Sequence, residues 1–374
     1  MRIAVNTRLL LADRLEGVGY FTQEVARRLV ERRPEDEFIF LFDRPFDPRF
    51  VFADNVTPVV VHPPARHPLL WYAWFEGALP GALRRCGAEV LLSPDGYLSL
   101  RSPVPTVLVA HDLAYLHYPR QVPPLVRRYY GYFVPRYLHR ADQIITVSDY
   151  VKQDILAHYR LAPERISVAC NGVKEEFRPL DEAEKTAVRA EFAGGREYFF
   201  YVGSIHPRKN LPRLLGAYAR YRSGGGRPVK LLIGGRFAWQ TGEVAAAHAA
   251  NPYREDIEFL GYVPADQLAR LLGAARALTY VSLFEGFGVP LLEAMQAEVP
   301  IVTANVTSLP EVAGPAALLV DPTSEEAIAA ALLRLDREPG LAEQLVAAGR
   351  AQRDKFSWER ATDVVEAALE RKEK

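Results

Sequence analysis

Short apolar runs alternate with stretches of helical periodicity along the whole chain, and this alternation limits the available architectures more than any other feature. In the first half the expected strands are Arg2–Thr7, Phe38–Phe42, Pro58–His62, Val90–Ser93, Thr106–Ala110 and Gln143–Val147. In the second they are Tyr198–Val202, Val229–Ile233, Ile257–Leu260, Ala277–Val281, Ile301–Ala304 and Ala317–Val320. Each is a compact run rich in Val, Ile, Leu or Phe, as fits a strand covered on both faces. Helical patterns separate many of them, at Tyr20–Arg33, Leu69–Cys86, Leu125–His139, Tyr150–Tyr159, Leu211–Arg222, Ala265–Ala274, Pro290–Ala297 and Glu325–Arg337. Strand–helix alternation implies right-handed crossovers and open parallel sheets. Two such sets imply an α/β chain of two Rossmann-like domains. The boundary is expected near 171–184, where apolar content drops and charge and proline rise. That gives a domain over 1–170 and a second over 171–356. The segment 357–374 is a further amphipathic helix, with Trp358, Ala361, Val364, Val365, Ala368 and Leu369 on one face.

Length and charge agree with this plan and remove other classes. A chain of 374 residues suits two domains. Lysine plus arginine equals aspartate plus glutamate, 46 each, so no global field attracts nucleic acid or an anionic membrane. The two cysteines, Cys86 and Cys170, are far apart and supply neither a disulfide framework nor a zinc spacing. The opening MRIAVNTRLLLADR is too short in apolar length, and too soon broken by charge, for a signal peptide. No apolar stretch reaches the ~18 residues of a membrane span. The expectation is a cytoplasmic protein.

Two turns carry the chemistry. In SLFEGFGVPLLEAMQAEVP (Ser282–Pro300), Glu285 follows an apolar run and so lies in the loop beyond a strand. Pro290 marks the first turn of a helix, which places Glu293 in or near that first turn. The Gly-Phe-Gly bend folds both carboxylates toward the crevice beyond the strand ends, where open α/β sheets bind ligands. Gly286 and Gly288 permit close backbone approach. Amides at a helix N-terminus suit phosphate, and carboxylates accept hydrogen bonds from sugar hydroxyls. Together these describe a sugar-nucleotide site. The plainer reading of Glu293 is an acid favoured by the helix macrodipole; Glu285, inside EGFG, is harder to explain that way. The second turn is YFFYVGSIHPRKN (Tyr198–Asn210). Gly203 ends its strand, Pro207 stiffens the loop, and Arg208 and Lys209 precede a helix, where they can meet a diphosphate. A lone Arg-Lys pair is usually a solvated one; beside a second phosphate turn the anion-binding reading is preferred.

Three further segments have two readings each. His111, in VAHDLAYLHY, follows the run Thr106–Ala110 and should sit at a strand end, whereas most lone histidines are structural. Leu113–Ala141 interleaves arginines 120, 127, 128, 136 and 140 with tyrosines and contains no acid. It is either an acceptor or membrane-surface patch or, preferred for the tyrosines, aromatic helices packed on a sheet. WYAWFEGALP (Trp71–Pro80) is a core or acceptor-side helix, and FAWQ (Phe237–Gln240) lies near the nucleotide base or is unremarkable loop.

These segments also resemble a known family. EGFGVPLLEA resembles the E-x7-E motif of retaining GT-B glycosyltransferases of family 4, and VGSIHPRKNLPRLL resembles that family's phosphate-binding turn. SLPEVAGPAALLVDP (Ser308–Pro322), TVSDYVKQDI (Thr146–Ile155) and CNGV (Cys170–Val173) are similar to further segments of it. The resemblance covers nearly the whole chain and is most specific in the second half. It implies two Rossmann-like domains facing across a cleft, with the C-terminal helix crossing back onto the first. It implies Glu293 on the donor ribose hydroxyls, Glu285 on the donor hexose, and Arg208 and Lys209 on the departing diphosphate. Gly203, Gly286, Phe287, Gly288 and Val289 would complete the donor pocket. Some members carry an arginine directly after the turn's glycine; here Ser204 stands there, leaving more of the charge to Arg208 and Lys209. EGVGYFT (Glu16–Thr22) is similar to the family's glycine-rich loop after the first strand, which would bring Gly17 and Gly19 near the donor diphosphate. It is not a complete dinucleotide fingerprint. His111 stands where the family often has a histidine contacting the donor sugar, with Asp112 orienting it or capping a turn.

The implied activity is retaining transfer of a hexose from a nucleotide diphosphate sugar to a hydroxyl of a glycan or lipid-linked acceptor. HDLAYLHYP with VGSIHPRKN is most similar to mannosyltransferases, so GDP-mannose is the first donor expected, with UDP-hexoses next. His111, Glu285, Arg208 and Lys209 would form the catalytic set. No Asp-x-Asp motif is evident, and cations can stabilise the leaving group in place of a metal, so neither metal nor cofactor is expected. Nucleic acid is not an expected partner; peripheral contact with the inner face of a membrane is an open alternative to a purely cytoplasmic location. The rivals are a GT-B sugar-nucleotide epimerase, a phosphorylase, a non-catalytic two-lobed sugar-binding protein and a nicotinamide dehydrogenase.

Overall fold

The computed structural model describes residues 1–12, 15, 17–238 and 241–371. Glu16 of the glycine-rich segment, Trp239 and Gln240 of FAWQ, and the last three residues of the C-terminal segment lie outside them.

The apolar runs form two parallel sheets. One has seven strands: β1 (Arg2–Asn6), β2 (Glu37–Phe42), β3 (Val56–Val60), β4 (Val90–Ser93), β5 (Thr106–Ala110), β6 (Gln143–Thr146) and β7 (Ile166–Val168), in the order β3-β2-β1-β4-β5-β6-β7. The other has six: β8 (Tyr198–Val202), β9 (Lys230–Gly234), β10 (Ile257–Gly261), β11 (Ala277–Tyr280), β12 (Ile301–Ala304) and β13 (Ala317–Val320), in the order β10-β9-β8-β11-β12-β13. Helices cover both faces, so central strands such as Val90–Ser93 and Ala277–Tyr280 are buried at every residue and show no polar alternation. In each sheet the chain builds outward on one side of its first strand and then restarts on the other. The order therefore reverses between β1 and β4, and again between β8 and β11. Those reversals open crevices at the carboxyl ends of the strands.

The chain divides into two compact units. One contains Met1–Asn171 and the segment from Ser357 onward; the other is Gly172–Phe356. In the first, the helix Trp358–Glu370 packs against the helix Gly17–Arg32, burying Trp358, Ala361, Thr362, Val365, Ala368 and Leu369. Val364, expected on that face, is only half-buried.

Several elements depart from the sequence expectation. The three-residue β7 extends the first sheet beside β6, and its brevity kept it below the length of a legible run. The helix expected over 69–86 is interrupted. It runs as α-turns over Pro68–Tyr72, widens over Ala73–Ala78, and resumes over Leu79–Arg85. Pro80 has no N–H to donate and crowds the preceding turn; a wider turn, in which the Leu79 amide bonds the Trp74 carbonyl, accommodates it. A helix also fills Glu182–Ala193, directly after the charged boundary segment. Its start is a capping box, with Asp181 accepting from the Glu184 amide and Glu184 reaching back to the Asp181 amide.

Candidate active site

In the second unit the reversal between β8 and β11 holds the two turns singled out above. The chain leaves β8 at Gly203 and passes through a short 3-10 turn, Pro207–Lys209, before entering the helix Leu211–Ser223. It leaves β11 at Tyr280 and enters the helix Val289–Gln296 through the EGFG loop. Hydrogen bonds tie the two together. The Leu283 amide donates to the Arg208 carbonyl at 2.8 Å. Asn210, in a left-handed conformation, donates from Nδ2 to the Val281 and Pro322 carbonyls at 2.9 and 2.7 Å. Lys209 Nζ donates to Glu285 Oε1 at 2.6 Å and to the Tyr280 hydroxyl at 2.7 Å, and that hydroxyl donates to the same carboxylate oxygen at 2.9 Å. The geometry thus brings Arg208, Lys209 and Glu285 together at the switch point.

Burial would raise the Glu285 carboxyl; the Lys209 charge and hydrogen bond outweigh it, and the carboxyl lies below its ordinary range. It is an anion at neutral pH. His206, in the same turn, is driven down to about 4 by burial and then by the Lys209 and Arg208 charges, so it is neutral. The Arg208 guanidinium lies 6.0 Å from the centre of the Phe284 ring. The glycines of the turn answer a steric demand: a Cβ on Gly235, at the end of β9, would stand 1.9 Å from the Gly203 carbonyl oxygen.

The EGFG loop is held from behind. The Glu285 amide donates to Thr307 Oγ1 at 3.2 Å, and Ser308 Oγ donates to the Glu285 and Phe287 carbonyls at 3.0 and 2.9 Å. Phe287 turns its ring into the interior, edge-on to Phe356 at 5.7 Å, so what it offers a ligand is backbone. Gly288 caps the helix in a left-handed conformation, where a Cβ would meet Leu309 at 2.7 Å. The helix begins at Val289, and its first turn contains no acid. Glu293 therefore stands in the second turn, a correction to the first-turn placement, and the macrodipole explanation weakens because that effect fades beyond the first turn. Burial lifts the Glu293 carboxyl to about 7, with Lys174 pulling it down and Glu176 pushing it up. A carboxyl raised so far by its surroundings suits a role in ligand binding.

The first unit holds the remaining candidates. Gly17 and Gly19 do not lie in a loop: they open the helix Gly17–Arg32. Gly19 is required by packing, since a Cβ would stand 2.6 Å from the Leu9 carbonyl oxygen; a Cβ on Gly17 would meet nothing within 4 Å among the described residues. His111 lies directly after β5, where Nε2 is 2.7 Å from the Pro94 carbonyl at the end of β4. A carbonyl can only accept, so Nε2 carries the proton and Nδ1 is left as an acceptor. Burial lowers the His111 pKa, keeping the ring neutral. Phe21, from the helix that Gly17 opens, meets the ring edge-on at 5.5 Å. Near the β1/β4 reversal, Arg8 pairs with Asp95, both buried.

Tyr280, Asn210, Thr307, Ser308 and Lys174 went unassigned in the sequence. Asn210, Ser308 and Lys174 lie in or beside quoted motifs and Tyr280 in an expected strand, but only the fold turns Ser308 toward the Glu285 loop or Lys174 toward Glu293.

Comparison with known proteins supplies the family. Residues 183–352 match the model for glycosyl transferases group 1, and residues 15–177 match that for Glycosyltransferase Family 4. An Escherichia coli protein named O-antigen chain mannosyltransferase B is 31% identical over 360 residues, covering 93% of this chain and 94% of its own. The Salmonella typhimurium O-antigen chain mannosyltransferase RfbU is 27% identical, covering 73% and 72%. Anabaena HepE, solved in complex with UDP and glucose, superposes with a TM-score of 0.75 over 98% of both chains at 15% identity, a likeness of fold. Two family models with one shared fold, and a relative aligned over almost its full length, make this chain a member of the family 4 glycosyltransferases, built on the GT-B plan.

Proposed function

We propose that this glycosyltransferase moves mannose, with retention of configuration and without a metal, from a nucleoside diphosphate donor to a hydroxyl of a growing surface glycan. The observation that carries the reading is the Lys209–Tyr280–Glu285 cluster at the β8/β11 reversal. It joins a cation suited to the leaving diphosphate with an anion suited to sugar hydroxyls. When the bond to the donor sugar breaks, negative charge grows on the diphosphate, and Lys209, Arg208 and the amides of the turn meet it. Glu285, held ionised by Lys209, accepts from hydroxyls of the sugar as positive charge develops on its ring. Glu293 accepts from the ribose. His111, neutral with Nδ1 open, accepts from a hydroxyl of the sugar. The departing phosphate oxygen takes the acceptor proton, so no separate base is assigned. The names of the E. coli and Salmonella relatives support mannose and a polysaccharide acceptor; GDP-mannose is the first donor and UDP-hexoses the second.

A lipid-linked acceptor would require work at a membrane surface, and one face suits that task. The helix Pro124–Arg140 contains no acid, exposes Leu125 and Tyr132, and carries Arg127, Arg128 and Arg136. It packs against the short helix Pro68–Tyr72, which exposes Leu69, Leu70 and Tyr72. Exposed apolar and aromatic groups among these arginines suit an anionic lipid interface. Among the described residues, no helix is long and apolar enough to cross a membrane.

The test is transfer from GDP-mannose, UDP-glucose and UDP-galactose to an isolated glycan acceptor, with NMR of the new anomeric centre and a chelator control. Retained configuration, preference for GDP-mannose and indifference to chelator are expected. Lys209→Ala should lower turnover by about 10²–10³-fold with the fold intact. Inverted product, or near-normal turnover in that variant, would sink the mechanism.

A further inference from the structure

The tyrosine- and arginine-rich region of the first unit contains a group of side chains that the transfer reaction does not use. His117 ends the short helix Ala114–His117, a few residues beyond His111. Asp154 and His158 lie one turn apart on the helix Asp149–His158. His117 Nε2 is 2.9 Å from each Asp154 carboxylate oxygen, and His158 Nδ1 is 3.2 Å from Oδ1. One donor atom from each of the three residues falls within 4.8 Å of the other two. Among the described residues, this is the one grouping of three His, Cys, Asp or Glu side chains that closes so tightly.

The geometry points to a binding site for a divalent cation of the zinc class, built from His117, Asp154 and His158. Four observations favour it over an ordinary hydrogen-bonded trio. The Asp154 side chain is only 6% exposed, yet its ion-pair partners among the described residues are the two imidazoles, with no lysine or arginine. A buried carboxylate ordinarily demands a cation or a metal. The i, i+4 spacing of Asp154 and His158 puts two ligands on one helix face, and His117 supplies the third from a separate element. Two imidazoles and one carboxylate form a donor set that zinc accepts, with water completing the coordination. Both histidines are part-exposed, at 29% and 40% of their side chains, so an ion and its water can reach the site while the carboxylate stays covered.

His158 Nδ1 also lies 2.8 Å from the Asp154 carbonyl oxygen. Ligation would move its proton to Nε2, a tautomer change open to any neutral imidazole. Behind the site the Tyr115 and Tyr159 hydroxyls bond one another at 2.6 Å, each next to or near a ligand-bearing residue. A bound ion would clamp the segment that follows His111 to the helix Asp149–His158. Its effect would therefore fall on the stability of this unit, leaving the donor chemistry metal-free.

The test uses the full chain stripped with EDTA and dialysed. Zn²⁺ is titrated in competition with a chromophoric chelator, Co²⁺ is followed by visible absorption, and thermal midpoints are read with and without Zn²⁺. One equivalent per chain is expected, with about micromolar or tighter affinity and a rise of a few degrees in Tm. His158→Ala, at a part-exposed position that should not impair folding, is expected to weaken binding at least tenfold and abolish the Tm rise; His117→Gln should do the same. Absence of saturable binding, or equal binding by His158→Ala, would overturn the site. Both readouts are independent of transferase activity, so they stand or fall apart from the donor and mechanism proposed above.

Discussion

At the residue scale, the two acids of the E-x7-E segment differ in their protonation. Glu285 is held ionised by Lys209, whereas burial raises Glu293 to about 7. In the proposed role, an ionised Glu293 offers both oxygens as charged acceptors to the ribose hydroxyls, whereas the protonated acid turns one of them into a donor. Donor KM should therefore fall as pH rises through about 7, by up to ~10-fold per unit at the steep limit. In Glu293→Gln that limb should vanish and KM should be uniformly high; an unchanged pH profile would remove Glu293 from the donor site. The same group makes a separate statement about stability. Its folded pKa lies above the unfolded value of ~4.5, so between about pH 4.5 and 7 the native state holds the extra proton and stability declines as pH rises. Glu293→Gln should raise Tm at pH 8 relative to wild type and change it little at pH 4.5, as measured by calorimetry.

At the scale of elements, the site depends on backbone contacts that no side chain could replace. Gly235 approaches the Gly203 carbonyl so closely that Gly235→Ala must displace one of the two loops. Displacing the turn after β8 should raise donor KM and cost stability, an effect of about 1–3 kcal/mol. Chemical denaturation together with donor titration would measure both, and an unperturbed variant would show the contact to be looser than described. The basic face of Pro124–Arg140 makes a different kind of claim. The full chain should float with vesicles rich in anionic lipid, less so as salt rises, and not with neutral vesicles. Arg127→Glu with Arg128→Glu should release it. Equal flotation of that double variant would assign the exposed leucines and tyrosines of this face to some other purpose.

At the scale of the whole molecule, the C-terminal helix belongs to the unit that the N-terminus begins. Arg28 bonds Glu359, Arg32 bonds Asp363 and Arg33 bonds Glu370, across a seam whose apolar side buries Trp358, Val365 and Leu369. The ion pairs are exposed and contribute little each; the apolar seam supplies most of the stabilisation. A chain ending at Phe356 should therefore lose several degrees of Tm in its first unit. Trp358→Ala should lose part of that, whereas Glu359→Ala should lose almost nothing. A truncated chain as stable as the full one would show the seam to be incidental.

The sequence by itself determined the class of fold and the addresses of the two turns that meet at the β8/β11 reversal. Fully buried parallel strands cannot be written without long apolar runs, and loops at a switch point need glycine and charge at fixed places. Twelve of the strands, the EGFG loop and the Pro-Arg-Lys turn were legible for that reason. Tertiary structure alone decided what those residues touch. It tied Lys209 to Glu285 across 76 positions of chain, set Ser308 behind the loop, moved Glu293 into the second turn and lifted its pKa, and turned Gly17 and Gly19 from loop to helix. Such facts lie beyond the reach of local pattern. Hydrogen bonds and desolvation are properties of neighbours in space, and composition and periodicity record only neighbours along the chain.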